Sequence, residues 1–64
     1  MTLQEKIQAL FQHYSAEEIA AKLTDRAGRP VPVSTVYAYA SGRINSIRIK
    51  AVNRAVEELV STLV

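Results

Sequence analysis

The sequence predicts an all-α protein, a small bundle of four to five helices that forms a single domain over residues 1–64. Apolar residues recur at intervals of three and four positions, as the helical period requires. Two capping-box patterns, in which Thr or Ser precedes Glu by three positions, predict helix starts at Thr2 and Ser15. With 64 residues, 48% of them hydrophobic and 22% charged, the chain has room for one globular domain.

The first two helices follow directly from these patterns. The first is predicted from Thr2 to about Tyr14, and its apolar residues form one stripe of Leu3, Ile7, Leu10, Phe11 and Tyr14. The second begins after Ser15, and its apolar side carries Ala16, Ile19, Ala20 and Leu23. We expect this second helix to continue through Ala27 and to end at Gly28 in the left-handed conformation.

A proline-containing connector separates the second helix from a third. Arg29 and Val31 each precede a proline, which biases both to extended backbone, so we expect a stiff turn with Pro32 as the first helical residue. The third helix then occupies the stretch 31–42 and ends at Gly42. The second and third helices predict a helix-turn-helix, although its turn is longer than the usual three or four residues.

The third predicted helix has two unlike faces. At about 100° per residue, one face is apolar and carries Val33, Val36, Tyr39 and Ala40. The opposite face has no charge, and its residues are Ser34, Tyr37, Ala38 and Ser41. A solvated helix face usually carries Lys and Glu, so this face suits close approach to another surface, such as base edges in a DNA major groove. A semi-buried helix that only fills the bundle is the alternative.

Positive charge is concentrated in the middle of the chain, although the formal net charge is only +2. No Asp or Glu occurs between Arg26 and Arg54, a span whose cations are Arg26, Arg29, Arg43, Arg48, Lys50 and Arg54. A one-sided distribution of this kind is typical of proteins that neutralise phosphates. Chance clustering in a small protein is the alternative.

The last helix is predicted from about Ser46 to Leu63, with Asn45 or Ser46 as its N-cap. Its apolar stripe consists of Ile49, Val52, Val56, Leu59 and Leu63. The end of this helix carries more aliphatic side chains than are needed to close the core. We therefore expect it to form a symmetric dimer contact. The residues of that contact are Leu59, Val60, Leu63 and Val64. A frayed terminus is the alternative.

The sequence lacks the residues that several classes of protein function require. The chain has no cysteine and a single histidine, His13, so it can build neither a thiolate metal site nor a catalytic triad. We therefore expect no enzyme activity, no cofactor, no metal and no small-molecule ligand. No apolar run approaches the roughly 20 residues that span a bilayer, and no signal-peptide pattern precedes the first helix. We expect a cytoplasmic protein without a membrane partner.

Three segments together resemble the helix-turn-helix of the lambda repressor and Cro family of phage and bacterial regulators, namely 19–23 (IAAKL), 31–37 (VPVSTVY) and 40–43 (ASGR). The resemblance covers about residues 15–47. The small residue typical of the family falls at Ala20, and the branched aliphatic falls at Val36. The resemblance implies a major-groove position for Ser34, Tyr37, Ala38 and Ser41. This chain departs from the family in its longer turn and in lacking the Gln, Asn or Arg that often reads a base.

Together these observations predict a sequence-specific regulator that binds double-stranded DNA, a Cro-like phage or prophage repressor acting by promoter occlusion. A homodimer places two recognition helices about 34 Å apart on a palindromic operator. The residues predicted to face bases are Val33, Ser34, Tyr37, Ala38 and Ser41. The residues predicted to contact phosphates are Arg29, Arg43, Arg48 and Lys50. The alternative is a small helical protein-interaction module, such as a phage inhibitor or antitoxin, whose basic surface binds an acidic protein.

Overall fold

The computed structural model describes residues 2–63, over which the chain forms four α-helices and no strand. The helices are α1 (Leu3–Phe11), α2 (Ala16–Lys22), α3 (Val33–Ser41) and α4 (Lys50–Ser61). The predicted all-α class is confirmed. Within the described residues no helix is long and apolar enough to cross a membrane.

One hydrophobic core joins all four helices. α3 packs against both α1 and α2, and α4 packs on α1. The largest fully buried side chains are Ile7, Leu10, Ile19, Leu23, Val36, Val52 and Val56. Because α3 is supported by two helices, its remaining side is held in a fixed position at the surface.

Both predicted capping boxes are confirmed. The Thr2 hydroxyl accepts a hydrogen bond from the Glu5 amide at 3.2 Å, and the Glu5 carboxylate accepts one from the Thr2 amide at 2.9 Å. Ser15 and Glu18 make the same pair of bonds, each at 3.2 Å. The hydrogen bonds from the backbone and hydroxyl of Thr2 lower the pKa of Glu5 below its ordinary value, since they favour the ionised carboxylate.

The first and last helices, α1 and α4, end slightly earlier than predicted. α1 ends at Phe11 rather than about Tyr14, and residues 12–14 form a turn. α4 ends at Ser61 rather than Leu63. Differences of this size are common because the last turn of a helix frays.

The prediction that α2 continues through Ala27 is wrong. α2 ends at Lys22, because Leu23 leaves the helical region with φ −93° and ψ 86°. The chain then turns back on itself, and Thr24 pairs with Pro30 in an isolated antiparallel bridge. A backbone hydrogen bond of 3.0 Å from the Val31 amide to the Leu23 carbonyl continues this pairing. We call residues 23–31 the hairpin.

Asp25 explains why the hairpin replaces the predicted helix. Its carboxylate accepts hydrogen bonds from the amides of Ala27 at 2.9 Å and Arg29 at 3.0 Å. Asp side chains that bond nearby backbone amides compete with helix formation. Gly28 has the predicted positive φ, +79°, but it lies in the tip of the hairpin and does not end a helix.

α3 begins one residue later than predicted and ends as predicted. Pro32 is its N-cap, with φ −62° and ψ 146°, so Val33 is the first helical residue. Gly42 ends the helix in the left-handed conformation, with φ +81°. A Cβ at Gly42 would also lie 3.0 Å from the side chain of Gln4, so both conformation and space favour glycine there.

The predicted start of α4 at Ser46 is wrong, because the helix begins at Lys50. Neither Asn45 nor Ser46 caps it. The N-cap is Ile49, which has extended backbone and makes no capping hydrogen bond through its side chain. Residues 43–49 form a loop, from which Ile47 packs against the core. β-Branched residues also favour extended backbone over helix.

Candidate nucleic-acid interface

The two faces of α3 are arranged as predicted. Val36 and Tyr39 are buried in the core, and burial raises the pKa of the Tyr39 hydroxyl above its ordinary value. On the opposite side Ser34, Tyr37 and Ser41 are exposed. These three, with the half-buried Ala38, form the outer face of α3, which lines an open concavity of about 530 Å³ together with Arg43.

Val33 does not belong to the outer face. The sequence places it on the apolar side of α3 and also predicts a contact with a thymine methyl. In the structure Val33 is half-buried and packs against the core, because it lies three residues before Val36 and shares the same helix face. Of the five residues predicted to face bases, Ser34, Tyr37, Ala38 and Ser41 thus share the outer face, and Val33 does not.

Tyr37 is held by an aromatic contact that the sequence did not predict. Its ring stacks on Phe11 of α1, with centroids 6.0 Å apart and planes inclined by 26°, while the Tyr37 side chain stays 58% exposed. Phe11 was predicted only as part of the α1 core stripe. No local pattern joins residues on different helices, so only the packing of α1 on α3 reveals this contact.

The hydroxyls of the outer face differ in their availability. The Ser41 hydroxyl donates to the Ala38 carbonyl at 3.1 Å and accepts from the Arg43 amide at 3.4 Å. Among the described residues, the hydroxyls of Ser34 and Tyr37 have no hydrogen-bond partner. Ser34 and Tyr37 therefore present the free polar groups of this face.

Four open concavities that share lining residues connect the outer face of α3 with the hairpin and α4. Arg43 lines both the concavity at α3 and the next one, along the loop 43–49. Arg48 is shared with a cleft at the hairpin, and Lys50 is shared with a groove between α2 and α4. We call the cations of these concavities the basic band; they are Lys22, Arg26, Arg29, Arg43, Arg48, Lys50 and Arg54.

The basic band keeps most of its positive charge. Its seven cations face two carboxylates, a formal balance of +7 − 2 = +5. Arg29 Nε lies 3.9 Å from an Asp25 oxygen, and Arg54 Nε lies 3.4 Å from Glu58 Oε1. Arg29, Arg54 and Glu58 are exposed and Asp25 is half-buried, so solvent screens both pairs and each is weak. The eighth cation of the chain, Lys6, lies outside the band and pairs with Glu57.

All four predicted phosphate contacts are exposed and belong to the basic band: Arg29, Arg43, Arg48 and Lys50. The structure adds Arg26 at the hairpin tip, together with Lys22 and Arg54. Arg26 and Arg54 lie in the span of the sequence that contains no Asp or Glu, so the sequence itself indicated that they belong with the other cations. Lys22 lies outside that span and joins the band only through the packing of α2 near α4.

The predicted dimer residues lie at the end of α4 and just after it. Leu59, Val60 and Leu63 are half-buried and pack against the core. Each therefore uses part of its apolar surface within the chain and leaves part exposed. Val64 lies outside the described residues.

Comparison with known proteins returns no match, because no family model, no curated protein and no solved structure is significantly similar to this chain. The interface is therefore interpreted from its own geometry and charge.

Proposed function

We propose that this protein is a sequence-specific regulator that binds double-stranded DNA, with α2, the hairpin and α3 acting as a helix-turn-helix of the lambda repressor and Cro type. The observation that carries the proposal is the uncharged outer face of α3 bordered by the basic band. Phosphate contacts provide affinity and register, whereas hydrogen bonds and apolar contacts to base edges provide specificity. An uncharged face beside a row of cations matches both needs.

In this proposal α3 enters the major groove. Its nine residues make a rod about 13 Å long, comparable with the groove width of about 12 Å. The free hydroxyls of Ser34 and Tyr37 bond base edges, and the methyl of Ala38 suits contact with a thymine methyl. Arg43 follows α3 directly and reaches the phosphates that border the groove.

The proposed regulation is repression by promoter occlusion, by a homodimer on DNA. The exposed parts of Leu59, Val60 and Leu63 provide a symmetric apolar contact between two copies. Two α3 helices then lie about 34 Å apart, on half-sites one helical turn apart. Such a footprint blocks access of polymerase to a promoter.

Selection of bound fragments from a random duplex pool tests the proposal. We expect an enriched palindrome at 50 mM salt and binding that weakens about 10³-fold or more at 200 mM salt, as expected for six or more phosphate contacts. A bound pool without any enriched sequence would contradict sequence-specific binding. Absence of duplex binding at 50 mM salt would instead favour the interaction-module alternative, in which the basic band binds an acidic protein.

A further inference from the structure

An open cleft of about 400 Å³ separates the hairpin from the start of α4. Arg26 and Arg29 lie on its hairpin side, and Arg48 and Lys50 lie on the opposite side. All four side chains are exposed, and that of Arg29 is 80% exposed. Cations from two separate segments of the chain therefore line one concavity that is open to solvent.

The carboxylate in this cleft does not balance these charges. Asp25 is the acidic residue of its lining, and one of its oxygens already accepts hydrogen bonds from two hairpin amides. Its contact with Arg29 is long, at 3.9 Å. Four cations and one carboxylate leave a formal +4 − 1 = +3. An anion placed between the two sides relieves the repulsion among these cations.

The hairpin side of the cleft is ordered before any partner binds. The Asp25 amide donates to the Arg29 carbonyl at 2.9 Å, and the Gly28 amide donates to the Asp25 carbonyl at 3.0 Å. The bridge between Thr24 and Pro30 closes the base of the hairpin. A fixed backbone reduces the entropy that is lost when the tip contacts a ligand.

The cleft is apolar as well as basic. Ile49 is 46% exposed, and Ala27 lines the hairpin side. A small free anion needs only the cations, whereas a sugar–phosphate strand presents charged phosphates and less polar sugars in alternation. The mixture of cations and aliphatic groups therefore favours a polymeric phosphodiester as the ligand.

We propose that this cleft binds one sugar–phosphate strand of DNA, contacted from the hairpin on one side and from the start of α4 on the other. The inference rests on the proposed function and extends it, because it makes the lengthened connector a second contact element beside α3. It also assigns a phosphate contact to Arg26, which the sequence placed among the cations of the acid-free span but not among the predicted phosphate contacts.

Phosphate ethylation interference on the selected duplex tests the two-sided contact. We compare the wild type with Arg26→Gln and Lys50→Gln, one from each side of the cleft. Each variant should bind about tenfold more weakly at 0.1 M salt, the effect expected for one lost phosphate contact. Both should lose sensitivity to ethylation at the same phosphate, or at neighbouring phosphates of one strand. The proposal would be overturned if the two variants lost ethylation sensitivity at phosphates of opposite strands, or if neither variant lost it.

Arg54→Gln is the matched control. Arg54 belongs to the basic band but lines the neighbouring groove, and it pairs with Glu58. Its substitution should leave the ethylation pattern at the cleft unchanged. If it removes the same sensitivity as Arg26→Gln, the effect is one of general charge and the cleft proposal fails.

Titration of the DNA-free protein with pyrophosphate separates this proposal from the proposed function. Amide NMR signals of Gly28 and Lys50 should shift together and saturate, because they report the two sides of the cleft. Joint shifts in a protein that selects no duplex would show a cleft that binds phosphate but would contradict both its proposed DNA ligand and the DNA-binding function. Shifts on one side only, or none, in a protein that does select a duplex would overturn the cleft and leave that function intact.

Discussion

The first two helices and the last two begin in opposite ways. α1 and α2 each begin with a capping box, in which a hydroxyl and a carboxylate of neighbouring residues bond the first backbone amides. α3 and α4 follow Pro32 and Ile49, with neither a capping side chain nor an acidic residue in the first turn. A helix N-terminus carries partial positive charge. This charge is therefore balanced within the chain in the first half of the molecule and left available in the second.

The charged side chains divide by surface rather than by half of the chain. Glu17 and Glu18 lie in the first turn of α2, and Lys6 of α1 pairs with Glu57. The basic band, in contrast, surrounds the start of α4 and reaches the outer face of α3. α1 and α2 thus support α3 from behind, whereas the surface to which we assign the function combines the outer face of α3 with cations of α2, the hairpin, the loop 43–49 and α4.

The largest effect is expected from giving the start of α4 the carboxylate that α1 and α2 already have. Ile49→Asp and Ile49→Asn remove the same aliphatic group and offer similar capping oxygens, so they differ in charge alone. The Asp variant should bind the selected duplex about tenfold more weakly than the Asn variant at 0.1 M salt, with a salt slope about 0.9 shallower. Fluorescence anisotropy at several salt concentrations measures both values.

Thermal unfolding provides the control for this pair: both variants should be folded, and the Asp variant should be the more stable by about 0.3–1 kcal/mol, because its carboxylate interacts favourably with the partial positive charge of the helix N-terminus. Equal duplex affinities would show that the charge at the start of α4 does not matter for binding. The contrast between the two halves of the molecule would then have no functional meaning.

A smaller effect is expected from removing the N-terminal cap of α2. Ser15→Ala removes the hydroxyl that caps α2 and should lower the free energy of unfolding by about 1 kcal/mol, measured by urea denaturation. Duplex affinity should be unchanged, because Ser15 lies outside the basic band. Ser46→Ala is the matched control, since this exposed loop serine caps no helix, and its stability should equal that of the wild type. A Ser15→Ala protein as stable as that control would contradict a stabilising capping box.

Features that depend on residues within one helical turn were predicted from the sequence. Both capping boxes need only a residue and its neighbour three positions later. The buried and exposed sides of α3 follow from helical spacing, and Gly42 ends that helix as expected. The same local rules place Gly28 in the left-handed conformation, although they assign it to the wrong element.

Features that depend on contacts between segments were not predicted. The hairpin was missed for a different, local reason: Asp25 bonds amides two and four positions later, and this bonding competes with continuing α2. The late start of α4 leaves Ile47 in the preceding loop, where it packs against the core. The stacking of Phe11 on Tyr37 requires α1 to pack on α3, and the basic band is assembled from several segments that are distant in sequence.

The central claim is that the outer face of α3 reads bases while the basic band contacts phosphates. Its most direct measurement compares Tyr37→Ala with Arg43→Ala on selected and random duplexes over a range of salt concentrations. Tyr37→Ala should lose about 1–3 kcal/mol on the selected duplex alone, with an unchanged salt slope. Arg43→Ala should lose affinity for both duplexes and give a slope shallower by about one. Equal loss on random DNA for Tyr37→Ala, or an unchanged slope for Arg43→Ala, would contradict the claim.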